Sequence, residues 1–257
     1  MDIRTFKLVI AAVGGLAVII GACEQLQAET LTVGAPPSLR PALNEILPMF
    51  EREYDSPVHV VYTPSRTLVK EIEHGDPIDV FLAAGVDEVE HLHKKGLTLD
   101  GRPRIYAKTS LVLAMSSNSS ASLISLDEAL RNHTTRIALG DPHTSSLGYL
   151  TDRWLTRIHP TFKSLTNILY APHSEEIIHL ILRGKADVGL VYRIDTINSG
   201  QVRISDENPL GSYAPVLFGQ AVAWTCRPAL RPLAEQFSDF MMSPRIQKLL
   251  IKYGFEP

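Results

Sequence analysis

Short apolar runs alternate with amphipathic segments along most of this chain, from about residue 30 to its end. The short runs are rich in Val, Ile and Leu and are bounded by Gly, Pro, Asp or Asn, as buried strands are. The longer segments repeat their apolar residues every three to four positions, which is the period of an amphipathic helix. This alternation is typical of an α/β fold with mostly parallel strands. After an initial strand, it predicts strands over 58–62, 78–84, 136–140, 167–171 and 187–192 and helices over 67–74, 86–95, 148–157, 174–183 and 232–242.

Two extended apolar segments, 109–115 and 216–225, separate two series of alternating elements. Each segment is well placed to cross between the series, and the helices at the end of the chain can return to the first one. We therefore predict two lobes, each a mostly parallel sheet flanked by helices, joined by a two-stranded hinge. The predicted boundaries assign residues 29–108 and 219–257 to lobe I and residues 109–218 to lobe II.

Four predicted strands lead into a turn that ends in a serine at the start of a helix. The segments are 32–38, 60–65, 137–146 and 168–174, and their serines are Ser38, Ser65, Ser146 and Ser174. The first turn of a helix has unpaired backbone N–H groups and a partial positive charge. In open α/β sheets such turns gather at the edge where ligands bind. Four of them facing one cleft predict an anion-binding site, although each serine could instead serve only as a helix cap.

Residues 1–28 have the layout of a secretory signal rather than of a folded element. Two basic residues precede an apolar run, 8–22, that is too short and too rich in small residues for a comfortable membrane span. The run leads into Cys23 in a segment that resembles a bacterial lipobox. We therefore expect Cys23 to be lipidated and the exported protein to be tethered to the membrane. Ordinary cleavage after Ala28 is the alternative.

Composition and motifs narrow the class of function. The formal net charge of the 257 residues is −3, and the basic residues are scattered, which gives no electrostatic case for nucleic acid. Besides Cys23 the only cysteine is Cys226, which we expect to be a buried structural thiol. The sequence contains no Gly-x-Ser-x-Gly, His-Glu-x-x-His or P-loop motif. It therefore favours a binding protein over an enzyme.

Several segments resemble the periplasmic molybdate-binding proteins of ABC importers, which have the type II periplasmic binding protein fold. The more specific ones are Pro-Ile-Asp-Val-Phe-Leu-Ala-Ala at 77–84 and Ala-Asp-Val-Gly-Leu-Val-Tyr at 186–192. Shorter matches are Ser-Leu at 38–39, Thr-Leu at 67–68, Glu-Ile at 71–72, Gly-Asp-Pro at 140–142 and Tyr-Gly-Phe at 253–255. The resemblance implies a periplasmic or extracytoplasmic protein, expected to be a monomer without a cofactor. It would capture a tetrahedral oxyanion, molybdate and also tungstate, between its lobes for delivery to an ABC permease.

In that family neutral donors alone hold the anion. Carried over by position, Ser38 and Ser65 would supply hydroxyl and backbone N–H groups from lobe I. Leu147 and Ser174 would supply backbone N–H groups from lobe II, and Tyr192 its phenolic hydroxyl. The first four of these residues fall in the four serine turns.

The chain departs from the family pattern at three of the turns, where Arg66, His143 and His173 stand. Arg66 would add a positive charge if it faces the cleft, and the two histidines are further candidates for changing selectivity. His143, His173 and Tyr192 could also bind Fe or Zn, so a carrier of another anion or of a metal ion is the alternative. A tethered sensory domain with the same lobes and a different membrane partner is a further alternative.

Acidic residues are scarce at the four turns, where only Asp141 and Glu175 occur. A fully deprotonated dianion needs only donors, whereas monohydrogen phosphate also presents a proton that needs an acceptor. The sequence therefore favours a deprotonated oxyanion over hydrogen phosphate.

Overall fold

The computed structural model describes residues 29–99, 101–211 and 215–256. The predicted signal segment, with Cys23 and the alternative cleavage position, lies outside the described residues. The strands are β1 (Leu31–Ala35), β2 (Val58–Tyr62), β3 (Val80–Ala83), β4 (Arg104–Thr109), β5 (Leu111–Ser116), β6 (Ile137–Gly140), β7 (Ile168–Ala171), β8 (Val188–Tyr192), β9 (Val202–Asp206) and β10 (Val216–Val222). They form two separate five-stranded sheets.

The two sheets have the same arrangement of strand directions. The first has the order β2-β1-β3-β10-β4 and the second the order β7-β6-β8-β5-β9. In each, three neighbouring strands pair in parallel and the fourth is antiparallel to both of its neighbours. Four of the five strands in each sheet therefore run in one direction, as a mostly parallel sheet requires.

Helices cover both sheets. They are α1 (Arg40–Tyr54), α2 (Ser65–His74), α3 (Val86–Lys94), α4 (Leu126–Arg131), α5 (Ser146–Ile158), α6 (Ser174–Leu182), α7 (Arg193–Ser199), α8 (Arg231–Met241) and α9 (Pro244–Lys252). Every residue of β3, β6 and β8 is buried, because these strands have helices on both faces. No helix in the described ranges is long and apolar enough to cross a membrane.

The chain passes from one sheet to the other twice, between β4 and β5 and between β9 and β10. We call the first sheet, with α1–α3, α8 and α9, lobe I, and the second sheet, with α4–α7, lobe II. The prediction of a two-lobe α/β protein with mostly parallel sheets is confirmed. The sequence pattern missed β4, β9, α4 and α7, and it treated as crossing segments two stretches that belong to β5 and β10.

Candidate functional site

Ser38 and Ser65 begin the first helical turns after β1 and β2. Ser38 lies in the 3₁₀ turn Pro37–Leu39, and Ser65 is the first residue of α2. Their residues are 7% and 1% exposed. Neither side chain caps its helical segment within the described structure. Both hydroxyls are therefore available for other contacts.

The serines at the helix starts of lobe II do not cap their helices either. Ser145 caps α5 by accepting a backbone N–H at 3.0 Å, and His173 Nδ1 caps α6 at 3.3 Å. Ser146 and Ser174, each the next residue, are 2% exposed. Their Oγ atoms make no hydrogen bond of good geometry with any described residue. The interpretation of the four turn serines as caps only is therefore wrong.

Ser38 and Asp195 join the two lobes. Ser38 Oγ donates to Asp195 Oδ2 at 3.1 Å, and Asp195, in α7, is 7% exposed. Burial raises the pKa of Asp195 to about 7, although the Ser174 and Ser38 hydroxyls beside it act in the opposite direction. The half-exposed Glu175 adds a negative charge nearby, which raises this pKa further.

Ala84 connects two further predicted site residues. Ser65 Oγ accepts the Ala84 N–H at 3.0 Å, while Tyr192 Oη donates to the Ala84 carbonyl at 3.2 Å. Tyr192 ends β8, and its ring centroid lies 5.4 Å from that of Phe218 in β10. Burial raises the pKa of Tyr192 well above its usual range, so the phenol remains a donor.

The start of α5 is held tightly against the end of β6. A Cβ built on Gly148 would lie 2.4 Å from the backbone of Asp141, and one on Gly140 would lie 2.6 Å from the Gly148 nitrogen. Only glycine fits at both positions. Leu147 is 1% exposed in this first turn, where backbone N–H groups have no partner within the helix. This end of α5 touches lobe I, because Arg66 N–H donates to the Thr144 carbonyl at 3.2 Å.

A second buried carboxyl, Glu88, lies in the first turn of α3. It is 4% exposed, and burial raises its pKa to about 7. Neither Oε atom makes a hydrogen bond of good geometry with the described residues, although the Ser146 hydroxyl is close enough to favour the charged form. Oε2 lies directly over Gly85, where a Cβ would be 2.3 Å away. Asp141 and Glu175 are the acidic residues at the four turns themselves, but the structure brings Asp195 and Glu88 beside the turn serines from other helices.

Arg66 points along the boundary between the lobes. Its Nη1 lies 3.8 Å from Glu88 Oε1, and its guanidinium stacks 4.3 Å from the ring centroid of Tyr149 in lobe II. Its side chain is 33% exposed. The positive charge therefore sits beside the site, where Glu88 partly balances it.

The two histidines have separate positions and contacts. His143 is exposed, and its carbonyl accepts from Lys70 Nζ at 3.4 Å. His173 is half-buried at the cap of α6, and burial lowers its pKa. The described residues contain no group of three or more His, Cys, Asp or Glu side chains able to hold a metal ion. Among the described residues, His143, His173 and Tyr192 therefore do not form a metal-binding cluster.

The contacts bring the serine turns and Tyr192 to one boundary between the lobes. The site offers hydroxyl groups and backbone N–H groups at helix starts, both of which can donate to an anion. Two carboxyls of raised pKa and one partly balanced guanidinium surround these donors. Cys226 lies elsewhere and is buried as predicted; burial raises the pKa of its thiol to about 12.

Two lobes of sheet and helices, with buried hydroxyl groups and helix starts at their boundary, are the architecture of a class of binding proteins. The chain belongs to the bacterial extracellular solute-binding proteins, whose family model matches residues 31–256. This is a family of transport proteins that bind solutes, not a class of enzymes.

Three similar proteins extend the comparison. YvgL of Bacillus subtilis (strain 168), provisionally named an ABC transporter substrate-binding lipoprotein, is 25% identical over 263 residues, which cover 98% of each chain. The molybdate-binding protein ModA of Haemophilus influenzae is 24% identical over 231 residues, covering 88% of this chain and 89% of its own. The solved periplasmic molybdate-binding protein of Azotobacter vinelandii has a TM-score of 0.74 at 21% identity, covering 88% of this chain and 99% of that one. The resemblance predicted from the sequence is confirmed.

Proposed function

We propose that this protein captures a tetrahedral oxyanion, molybdate and also tungstate, between its lobes and delivers it to the membrane subunits of an ABC permease. The observation that carries the proposal is the set of turn serines. They open helices at the lobe boundary and are buried, and within the described structure none of them caps its helix. Buried hydroxyls that do not cap, next to helix starts, suit an anion that accepts hydrogen bonds on every side.

The proposed contacts come from both lobes. Ser38 and Ser65 donate from lobe I, and Leu147 donates its backbone N–H group from lobe II. Ser174 donates both its backbone N–H group and its hydroxyl. Tyr192 donates its phenolic hydrogen, which turns from the Ala84 carbonyl to the anion. Binding then requires the lobes to close on the anion, and the anion in turn holds them together. The affinity arises from donors placed in advance rather than from a net positive charge.

Two observations bear on which oxyanion the protein binds, and they favour different anions. Molybdate is favoured by the similarity to proteins named as molybdate-binding. The second candidate is an oxyanion that carries a proton, such as hydrogen phosphate, and the buried carboxyls of Asp195 and Glu88 favour it as acceptors. For a carrier of Fe or Zn, His143, His173 and Tyr192 would have to converge, and their separate contacts give this alternative no support.

Further features of the protein follow from the same proposal. We place the moving boundaries at the two connections between the sheets, β4 to β5 and β9 to β10, and expect a monomer that needs no cofactor and catalyses no reaction. Lipidation of Cys23 would tether it to the membrane in a periplasmic or extracytoplasmic location. Arg66, His143 and His173 are proposed to modify selectivity rather than to form the main contacts.

Thermal unfolding of the exported protein tests the proposal. It is followed in the presence of molybdate, tungstate, sulfate, phosphate, Zn(II) and Fe(III), each at the same ionic strength. An anion at about 1,000 times its dissociation constant should stabilise the protein by about 4 kcal/mol, a shift in Tm of roughly 8–16 °C. We expect that shift with molybdate and tungstate. A shift with a metal ion alone would refute the proposal, and a shift with phosphate alone would favour the second candidate.

A further inference from the structure

We propose that Asp195 is a positioning residue that holds a proton in the anion-bound form, so that Ser38 and Ser174 both direct their hydroxyl protons at the anion. This inference rests on the proposed function, because it concerns the donors of the same site. Capture of a fully deprotonated oxyanion then takes up one proton from solvent, which binds at Asp195 Oδ2.

Each serine hydroxyl has one hydrogen to donate. Ser38 Oγ gives its hydrogen to Asp195 Oδ2 at 3.1 Å, so this hydrogen is not free for an anion. When the carboxyl is protonated, its O–H donates to Ser38 Oγ and the serine hydrogen turns toward the anion. The hydrogen bond between the two residues stays in place and only its direction reverses.

Asp195 also competes for the Ser174 hydrogen. Its Oγ is buried, lies near Asp195 and has no hydrogen bond of good geometry to any described residue. An ionised Asp195 would attract the Ser174 hydrogen as it attracts that of Ser38. It would also repel a dianion held by the same two hydroxyls, since both charges are shielded from water. Protonation of Asp195 removes the charge that repels the dianion, and it weakens the attraction of the carboxyl for the Ser174 hydrogen.

The charged groups around Asp195 leave it without a strong partner. Arg40 at the start of α1 and Glu175 and His179 of α6 line the same surface depression as Asp195. None of the described basic residues forms an ion pair with it at 4 Å or less. Burial raises the pKa of Asp195 to about 7, and an adjacent dianion raises it further. The other buried carboxyl at the lobe boundary, Glu88, lies in α3 near enough to Tyr192 for its charge to raise the pKa of the phenol.

The test is titration calorimetry of molybdate at pH 8 in two buffers of different ionisation enthalpy, which counts the protons taken up on binding. The variant is Asp195→Asn, whose amide donates permanently to Ser38 Oγ. We expect the variant to take up about one proton fewer than the wild type and to bind molybdate more tightly at pH 8. The wild-type Kd should rise by up to about tenfold per pH unit above pH 7, and this dependence should weaken in the variant.

Glu88→Gln is the matched control, because it removes the other buried carboxyl at the lobe boundary and keeps Asp195. When molybdate binds to this variant, the uptake of one proton by Asp195 should still be measured. Equal proton uptake by wild type and Asp195→Asn would overturn the inference, as would loss of the proton in Glu88→Gln instead. A wild-type Kd that is constant from pH 6.5 to 8.5 would also overturn it, whether or not the variants fold. In each of these cases molybdate still binds and the proposed function stands, whereas a wild type that binds no oxyanion refutes both proposals.

Discussion

Adjacent polar residues at the helix starts of lobe II have different roles. Ser145 and His173 satisfy backbone N–H groups of their own helices, while Ser146 and Ser174 leave their hydroxyls unused by the helix. A cap contributes about 1 kcal/mol to stability, whereas a donor to a desolvated anion contributes about 1–3 kcal/mol to binding. Stability and affinity should therefore respond to different serines.

Replacement of Ser174 by alanine should weaken anion binding and leave stability nearly unchanged. We expect the Kd to rise by roughly 5- to 150-fold, because the site loses a hydroxyl in a desolvated environment. Ser145→Ala is the matched control and should lower the free energy of unfolding by about 1 kcal/mol with little change in Kd. Titration calorimetry and urea unfolding measure the two quantities. Equal effects of both variants on Kd would contradict the assignment of roles.

Glu88 should make the protein less stable as the pH rises. Its pKa in the folded protein, about 7, is higher than the ordinary value of 4.5 for this side chain, so folding favours the protonated form. The free energy of unfolding should fall between about pH 4.5 and pH 7 by at most about 3 kcal/mol. Glu88→Gln should be more stable than the wild type above pH 7, and this gain should shrink at lower pH. Glu90→Gln, on the same helix and half-exposed, is the control, and a similar gain there would count against a special role for Glu88.

At the scale of elements, the contact between α5 and β6 sets the position of the Leu147 N–H group. A methyl group at Gly148 would meet the Asp141 backbone, so α5 would have to move away from the strand end. Such overpacking costs about 1–3 kcal/mol of stability, and the displaced helix start also loses its contact with the anion. Gly148→Ala should therefore lower both Tm and affinity.

Gly184→Ala is the control, because it is the same substitution at a glycine that lies away from the site. Gly184 has a φ of +64° and nothing within 4 Å of a built Cβ, so alanine there adds backbone strain without touching the site. We expect it to lower Tm and to leave the Kd unchanged. If Gly148→Ala also lowered only Tm, the start of α5 would not be part of the anion site.

At the scale of the whole molecule, direct contacts hold the two lobes together. They include Arg66 N–H to Thr144 O, Ser38 to Asp195, Tyr192 to Ala84, and the stacking of Arg66 on Tyr149. A rotation about the two connections between the sheets would break all of them together, so this is a closed arrangement of the lobes.

Arg66→Gln should favour the open form. The substitution removes a guanidinium that stacks on the opposite lobe and that supplies positive charge near the anion. The closed form should therefore lose about 1–2 kcal/mol of stabilisation. The anion should dissociate roughly 5- to 30-fold faster in stopped-flow measurements. Arg157→Gln is the matched control, because Arg157 stacks on Trp154 of the same helix at 4.4 Å. An equal dissociation rate in both variants would show that Arg66 does not hold the lobes together.

The sequence predicts the elements whose signals are local. The turns ending in Ser38, Ser65, Ser146 and Ser174 follow strands of strong apolar pattern, so their strand–turn–helix geometry is evident in the residues themselves. Asp195 was missed because α7 is short and lacks a clear period, although its place three residues after Tyr192 was an available signal. The burial of Asp195 depends on Ser38 from the other lobe, and no local pattern contains that contact.

Contacts between residues far apart in the sequence explain the other differences between the predictions and the structure. Glu88 falls within a predicted helix, and a carboxylate in the first turn of a helix is normally solvated. Its burial comes from the approach of α5 across the lobe boundary and from Arg66 of the neighbouring helix α2 within lobe I. In the same way, β10 inserts between β3 and β4 although it follows them by more than 100 residues, so its pairing could not be predicted from its own composition.

The most direct test of the central claim is a crystal structure of the protein grown with molybdate, with data collected near the molybdenum absorption edge. We predict one strong anomalous peak between the lobes, surrounded by four anion oxygens that lie within hydrogen-bond distance of Ser38, Ser65, Leu147, Ser174 and Tyr192. A peak elsewhere on the protein, or no peak when molybdate is shown to bind in solution, would contradict it.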